Sequence, residues 1–362
     1  MAHTLREVYS SVAEAVIRKD LKLKDGIVFN NDYEGEPTAG AVKIPVRDTD
    51  VVASDYDKAN GLAATVGTTT YDTLLINKDV AINELIDGYD AAAVPDDLVA
   101  ARIVSGSYTV SARLDNDGAS TLIAGSTIVN EATMTKDTIY DSIVDLSTTM
   151  DTANIPDDGM RYLLVKPNIY AYILKSPEFT ASSMLGDGVK ETGVIGQIAG
   201  FNVIKWNDST ANLAMIAGHP KFATRVKAWA VDVHLQDLAQ SGKYIGASAV
   251  QGRSIYGHKV TKAAAILSVY TPGSIAIALA KGATTGKTIA TITGNAGTLK
   301  YTVNPTERAT YDLATATYGG TALTSGTTEI PVSEGDIIEV VDIVSTKVAK
   351  VGYIVVTAAA IK

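Results

Sequence analysis

Few side chains in this sequence are equipped for chemistry. There is no cysteine, so thiolate nucleophiles, thiolate metal sites and disulfides are excluded. Only four histidines, His3, His219, His234 and His258, are available for zinc binding or histidine-based proton transfer. His258 sits in Ile255-Tyr256-Gly257-His258-Lys259-Val260, a strand pattern with no acid beside it, which suits a structural or solvent-facing ring better than a catalytic one. Asp55-Tyr56-Asp57-Lys58-Ala59-Asn60-Gly61 has the oxygen donors of a calcium loop, but one residue too many before the glycine and no terminal Glu. Asp115-Asn116-Asp117-Gly118 likewise lacks the distal acid, and both read as plain turns. Gly193-Val194-Ile195-Gly196-Gln197-Ile198-Ala199-Gly200 fits neither phosphate-binding glycine fingerprint, and Gly200-Phe201-Asn202-Val203 reads as a turn entering a strand. No nucleophile elbow occurs. Arg18, Lys19, Lys22 and Lys24 form the one dense basic group, either a solvated helix end or a surface facing a polyanion. The reading is a protein without catalytic residues, metal or cofactor.

The elements that would position such groups follow from pattern. At 362 residues the chain is long enough for two or three domains, and 46% hydrophobic against 20% charged residues marks it as globular. A formal net charge of -9 excludes a general polycation while leaving room for a local basic patch. Thr4-Leu5-Arg6-Glu7 is a capping box opening a helix on Leu5, Val8, Val12, Ala15 and Val16. Val42–Arg47 and Tyr71–Ile76 read as the two strands of a long hairpin with a polar tip, Pro45 confining its strand to an edge. Without local core, that hairpin is expected to reach a neighbour. Pro95 starts a helix to about Arg113 with Leu98, Ala101, Val104 and Tyr108 on one stripe. A second helix carries Ile139, Ile143, Leu146 and Met150. Short strands and helices then alternate through Tyr162–Val165, a Pro167-initiated helix, Phe201–Trp206, Ala214–Ala217, Arg225–Val233 and Ser254–Val260, an α+β pattern.

The uncharged run Ala263–Ala280 is interrupted by Tyr270-Thr271-Pro272-Gly273-Ser274, which predicts two strands around a turn rather than a membrane span. No signal peptide is visible at the start, so a soluble chain made in a cytoplasm is expected. From Thr271 to Lys362 seven basic residues balance seven acidic ones, and strand runs recur between turn residues at the spacing of a β-sandwich.

The order of these elements resembles the major capsid protein of tailed bacteriophages, the HK97-like fold. Ala41–Val46 and Leu74–Lys78 resemble the arms of that family's extended loop, Pro95–Arg113 its spine helix, Ile155–Pro167 with Ile195–Val203 its axial domain, and Gly252–His258 the return to its peripheral domain. The resemblance covers roughly residues 1–268 and implies an N-terminal arm (1–35), an extended β-hairpin loop (36–82), a peripheral domain with spine helix (83–135 and 250–270) and an axial domain (136–249). Residues 271–362 fall outside it, as an appended immunoglobulin-like sandwich. The function implied is a virion shell subunit, assembled in the host cytoplasm into hexamers and pentamers around double-stranded DNA. Its implied partners are a scaffolding protein, a portal, decoration proteins and the DNA, with no membrane and no cofactor. Arg18, Lys19, Lys22 and Lys24 would then face the DNA. Two alternatives remain: an encapsulin shell of the same fold, and a β-rich adhesin or carbohydrate-binding protein.

Overall fold

The computed structural model describes residues 17–33, 40–46, 53–62, 69–88, 97–177, 196–238 and 242–362. The capping-box helix lies outside them. Two compact units are present, one from Met1–Ser126 with His219–Ala263, the other from Thr127–Gly218 with Ala264–Lys362. This differs from the expected boundaries: residues 219–249 belong with the long helix, and 264–270 with the central sheet. The reason is strand pairing, which joins segments far apart in sequence.

In the first unit, β1 (Ala41–Val46) and β2 (Thr70–Leu75) pair antiparallel from Ala41↔Leu75 to Val46↔Thr70. With a single neighbour each, both are edge strands, which is where Pro45 costs no ladder bond. A three-stranded antiparallel sheet places β10 (Ser248–Val260) between β3 (Lys78–Ile86) and β9 (Ala223–Asp237). Helix α1 (Asp97–Gly125) packs on this sheet. It runs twelve residues past the expected Arg113, and Val104, placed on its buried stripe by periodicity, is exposed. Asp115-Asn116-Asp117-Gly118 is not a turn but helix interior.

The second unit holds a six-stranded sheet in the order β4 (Thr127–Asn130), β11 (Ile266–Tyr270), β8 (Leu213–Gly218), β5 (Tyr162–Val165), β7 (Phe201–Lys205), β6 (Gln197–Ile198). β5 and β8 are buried at every residue, the pattern of central strands covered on both faces. Helix α2 (Ile139–Thr152) buries Ile139, Ile143, Leu146 and Met150, the set read from sequence, and packs on α3 (Pro167–Lys175). Arg161, 1% exposed, ties down the loop before β5: its guanidinium donates to Asp151 Oδ1 at 2.7 Å, to Pro156 O at 3.0 Å and to Ile155 O.

Beyond β11 the same unit continues into a second set of strands. One sheet orders β12 (Gly273–Ser274), β19 (Lys347–Val355), β18 (Ile337–Val344), β15 (Thr298–Val303), β16 (Thr321–Leu323). The other orders β13 (Ala276–Lys281), β14 (Lys287–Thr293), β17 (Glu329–Pro331). Ala290, Ile292 and Ile330 from the smaller sheet share a core with Leu299, Leu323, Ile338 and Val340 from the larger. The run Ala263–Ala280 opens with a short 3-10 turn at Ala263–Ala265 and continues as three strands rather than the expected two, and no helix among the described residues is long and apolar enough to cross a membrane.

Candidate functional site

Residues 17–33 are held on the first unit by polar contacts that reach about 200 residues ahead. Residues 17–24 are not helical, contrary to the reading of the basic group as a helix end. The backbone runs along α1: the Tyr108 hydroxyl donates to Lys19 O at 2.9 Å, and Leu23 N–H donates to Asp115 Oδ1 at 2.9 Å, burying the Leu23 side chain. The chain then turns through Gly26, whose φ of 81° suits glycine, and Gly26 N–H donates to Phe29 O at 2.7 Å. Asp25 in this turn receives Arg225 at 2.8 Å and Lys227 at 3.0 Å.

Arg225 is the hub. Its guanidinium lies 4.5 Å from the Phe29 ring centre and donates through Nε to His258 Nε2 at 2.9 Å. Because Nε2 accepts, His258 is neutral, and burial with the adjacent Arg225 charge holds its pKa down at about 3. The His258 ring in turn contacts Phe29 and Tyr256 at centroid distances of 5.1 and 5.4 Å. Tyr256 donates to Asp117 Oδ2 at 2.9 Å, which also meets Arg113 Nε at 3.3 Å. The network therefore explains an acid-rich stretch inside a helix: Asp115 and Asp117 serve partners on the arm and on β10. Gly118 leaves the room, since a Cβ there would stand 3.0 Å from the Phe29 ring.

Of the four basic residues, Arg18 stacks 5.2 Å from the Tyr108 ring centre, Lys19 lies 3.8 Å from Asp115, and Lys22 pairs with Asp20. Arg18 and Lys24 are exposed. They share one short strip, but Lys19 and Lys22 already have acidic neighbours. The sequence reading missed Asp25, Phe29, Asp117 and Arg225, whose association spans separations that leave no local periodicity.

The hairpin base is anchored too, contrary to the expectation that it lacks core partners. Ile44 and Leu74 are buried with Val226 of β9. β2 crosses β10 at Gly257, where a Cβ would come within 2.3 Å of Leu75 O. Lys259 holds the same crossing through Asp72 and through Thr73 O at 2.7 Å. Further out, residues 53–62 are all exposed, and Asp57 is consumed by a turn, accepting from Ala59 N–H at 2.8 Å and Asn60 Nδ2 at 2.6 Å. Gly193 lies outside the described residues, while Ala199 and Gly200 make a turn into β7. Among the described residues no group of three or more His, Asp or Glu is arranged to hold a metal ion.

No family model matches the chain, and no curated protein matches it. Solved structures do. A chain from Mycobacterium phage Che8 superposes with a TM-score of 0.61 at 22% identity, over 73% of this chain and 96% of the phage chain. The capsid structure of cyanophage P-SCSP1u gives 0.63 at 13% identity, over 74% and 93%. The mature capsid of bacteriophage PhiM1 gives 0.54 at 12% identity, over 72% and 92%. At these identities the likeness is one of fold: a mixed α and β chain built like phage capsid subunits.

Proposed function

We propose that the chain is a major capsid subunit with the HK97-like fold, self-assembling into hexamers and pentamers of an icosahedral head that encloses double-stranded DNA. The observation that carries this reading is coverage. More than nine-tenths of each phage capsid chain finds a counterpart here, with a quarter of this chain left over. That quarter is about the length of residues 271–362, which supports reading them as an appended immunoglobulin-like sandwich on the shell exterior. On this reading the unit with α1 is the peripheral domain, the six-stranded sheet the axial domain, and the β1–β2 hairpin the extended loop. A two-stranded arm anchored only at its base gains its remaining contacts by symmetric association. A scaffolding protein, a portal and decoration proteins would be its partners, and Arg18, Lys19, Lys22 and Lys24 would lie towards the DNA. It would act in the virion after assembly in the host cytoplasm.

Electron microscopy of the purified full chain, alone and co-expressed with the products of its neighbouring genes, tests this. Closed shells, or rings of five and six subunits, are expected. A chain that stays monomeric in both preparations overturns the reading.

A further inference from the structure

The outer end of the β1–β2 hairpin carries a reactive dipeptide that shell building does not use. Asn60-Gly61 is the one place in the sequence where an asparagine precedes a glycine. Such a pair sets an amide carbon beside the next residue's backbone nitrogen, and glycine puts no side chain in the way of their approach. Every other asparagine is followed by a residue whose side chain crowds that approach. Asn60 and Gly61 are both exposed, and a Cβ on Gly61 would meet nothing within 4 Å, so water has open access to the pair.

Asp57 holds this pair in a turn. Its Oδ1 accepts from Ala59 N–H at 2.8 Å and its Oδ2 from Asn60 Nδ2 at 2.6 Å, while its backbone carbonyl accepts from Gly61 N–H at 2.8 Å. The bonds from Ala59 and Asn60 keep the Asp57 carboxyl below its ordinary range, so it is ionised at neutral pH. Both groups that would react are therefore engaged. The Gly61 nitrogen cannot attack while its proton stays on Asp57 O. The Asn60 amide cannot turn its carbon towards that nitrogen while Nδ2 stays on the carboxylate. Hydrogen bonds this exposed to water open readily, so they slow a reaction rather than forbid it.

We propose that Asn60 is a site of spontaneous deamidation whose rate Asp57 restrains. The Gly61 nitrogen gives its proton to solvent base and bonds to Asn60 Cγ. The Cγ–Nδ2 bond breaks, Nδ2 takes a proton and leaves as ammonia, and a succinimide ring remains. Water then opens the ring at either carbonyl, giving aspartate or, with the chain rerouted through Cγ, isoaspartate; no oxidant is needed. The product adds a carboxylate to a tip that already carries Asp55 and Asp57. The isoaspartyl form also adds a methylene to the backbone inside the turn.

Mass-spectrometric peptide mapping of the full chain, incubated in warm buffer at neutral and mildly alkaline pH, tests this, with isoaspartyl methyltransferase labelling to mark the rearranged product. Asn60 should convert before any other asparagine, faster at the higher pH, and to both products. Asp57→Ala removes two of the three bonds and should speed conversion roughly fivefold, the worth of one exposed hydrogen bond. That variant alters an exposed turn and leaves the buried core untouched. Conversion no faster at Asn60 than elsewhere, an unchanged rate in Asp57→Ala, or aspartate as the sole product overturns the proposal. None of these readouts requires particles, so failure here leaves the capsid reading standing.

Discussion

The imidazole of His258 accepts from Arg225, which fixes the proton on Nδ1 and makes the ring a pH-dependent part of the arm anchor. Its pKa of about 3 in the folded chain lies below the 6.5 of a free histidine. Between those values the unfolded chain binds the proton and the folded one does not. Stability is therefore full above pH 6.5 and falls as pH drops towards 3, at up to about 1.4 kcal/mol per pH unit. Urea unfolding midpoints between pH 7 and 5 should show this slope, flattened in His258→Gln. The basic strip makes a separate prediction. Reversing the charge of Arg18, Lys19, Lys22 and Lys24 together should reduce DNA retention in filled particles more than the yield of empty shells. Part of any effect on shells belongs to Lys19, which faces Asp115. Equal losses in nuclease-protected DNA and shell yield would reject a role at DNA.

At the level of elements, the hairpin is held at one end and exposed at the other, so the two ends should fail differently. Removing residues 48–70 should leave a folded, soluble chain that builds no stable shells, checked by circular dichroism and electron microscopy. Gly257→Val acts at the base instead. Its side chain would collide with the Leu75 backbone and lift β2 from β10, raising amide exchange over 41–46 and 70–75. Much of this was legible in the sequence. Alternation marked β1 and β2, and the helical spacing of Ile139, Ile143, Leu146 and Met150 named a buried face correctly. What was not legible depended on distant partners. Asp115-Asn116-Asp117-Gly118 has turn composition, yet tertiary contacts with Leu23, Tyr256 and Phe29 make helix the better state, so α1 continues through it to Gly125. The arm network was invisible for the same reason: Asp25 and Arg225 each look like ordinary surface charges until the fold joins them. The buried Glu339 of β18 was equally hidden, since only strand register sets it in one row with Thr302 and Tyr353.

At the level of the whole molecule, residues 271–362 have their own core but are also fastened to the central sheet. Thr271 N–H donates to Asn212 O at 2.9 Å, Tyr311 N–H donates to Glu131 O at 3.1 Å, and the Tyr270 and Tyr311 rings stack at 5.6 Å. A chain ending at Tyr270 should keep the six-stranded sheet and still assemble, with a melting temperature lower by a few degrees as those contacts vanish. Thermal unfolding and electron microscopy of that shortened chain check both statements, and loss of assembly would make the module integral rather than appended. The sheet itself has a consequence for synthesis. β11 lies between β4 and β8, pairing parallel with a strand about 140 residues earlier and antiparallel with one about 50 earlier. The sheet cannot close until residue 270 has left the ribosome, so β4 waits without a partner while about 140 residues are translated, and one edge of β8, whose other edge pairs with β5, waits for about 50. A ribosome stalled before Ile266 would hold those strands open to neighbouring nascent chains on the same message, a hazard that rises with the copy number of the protein being made.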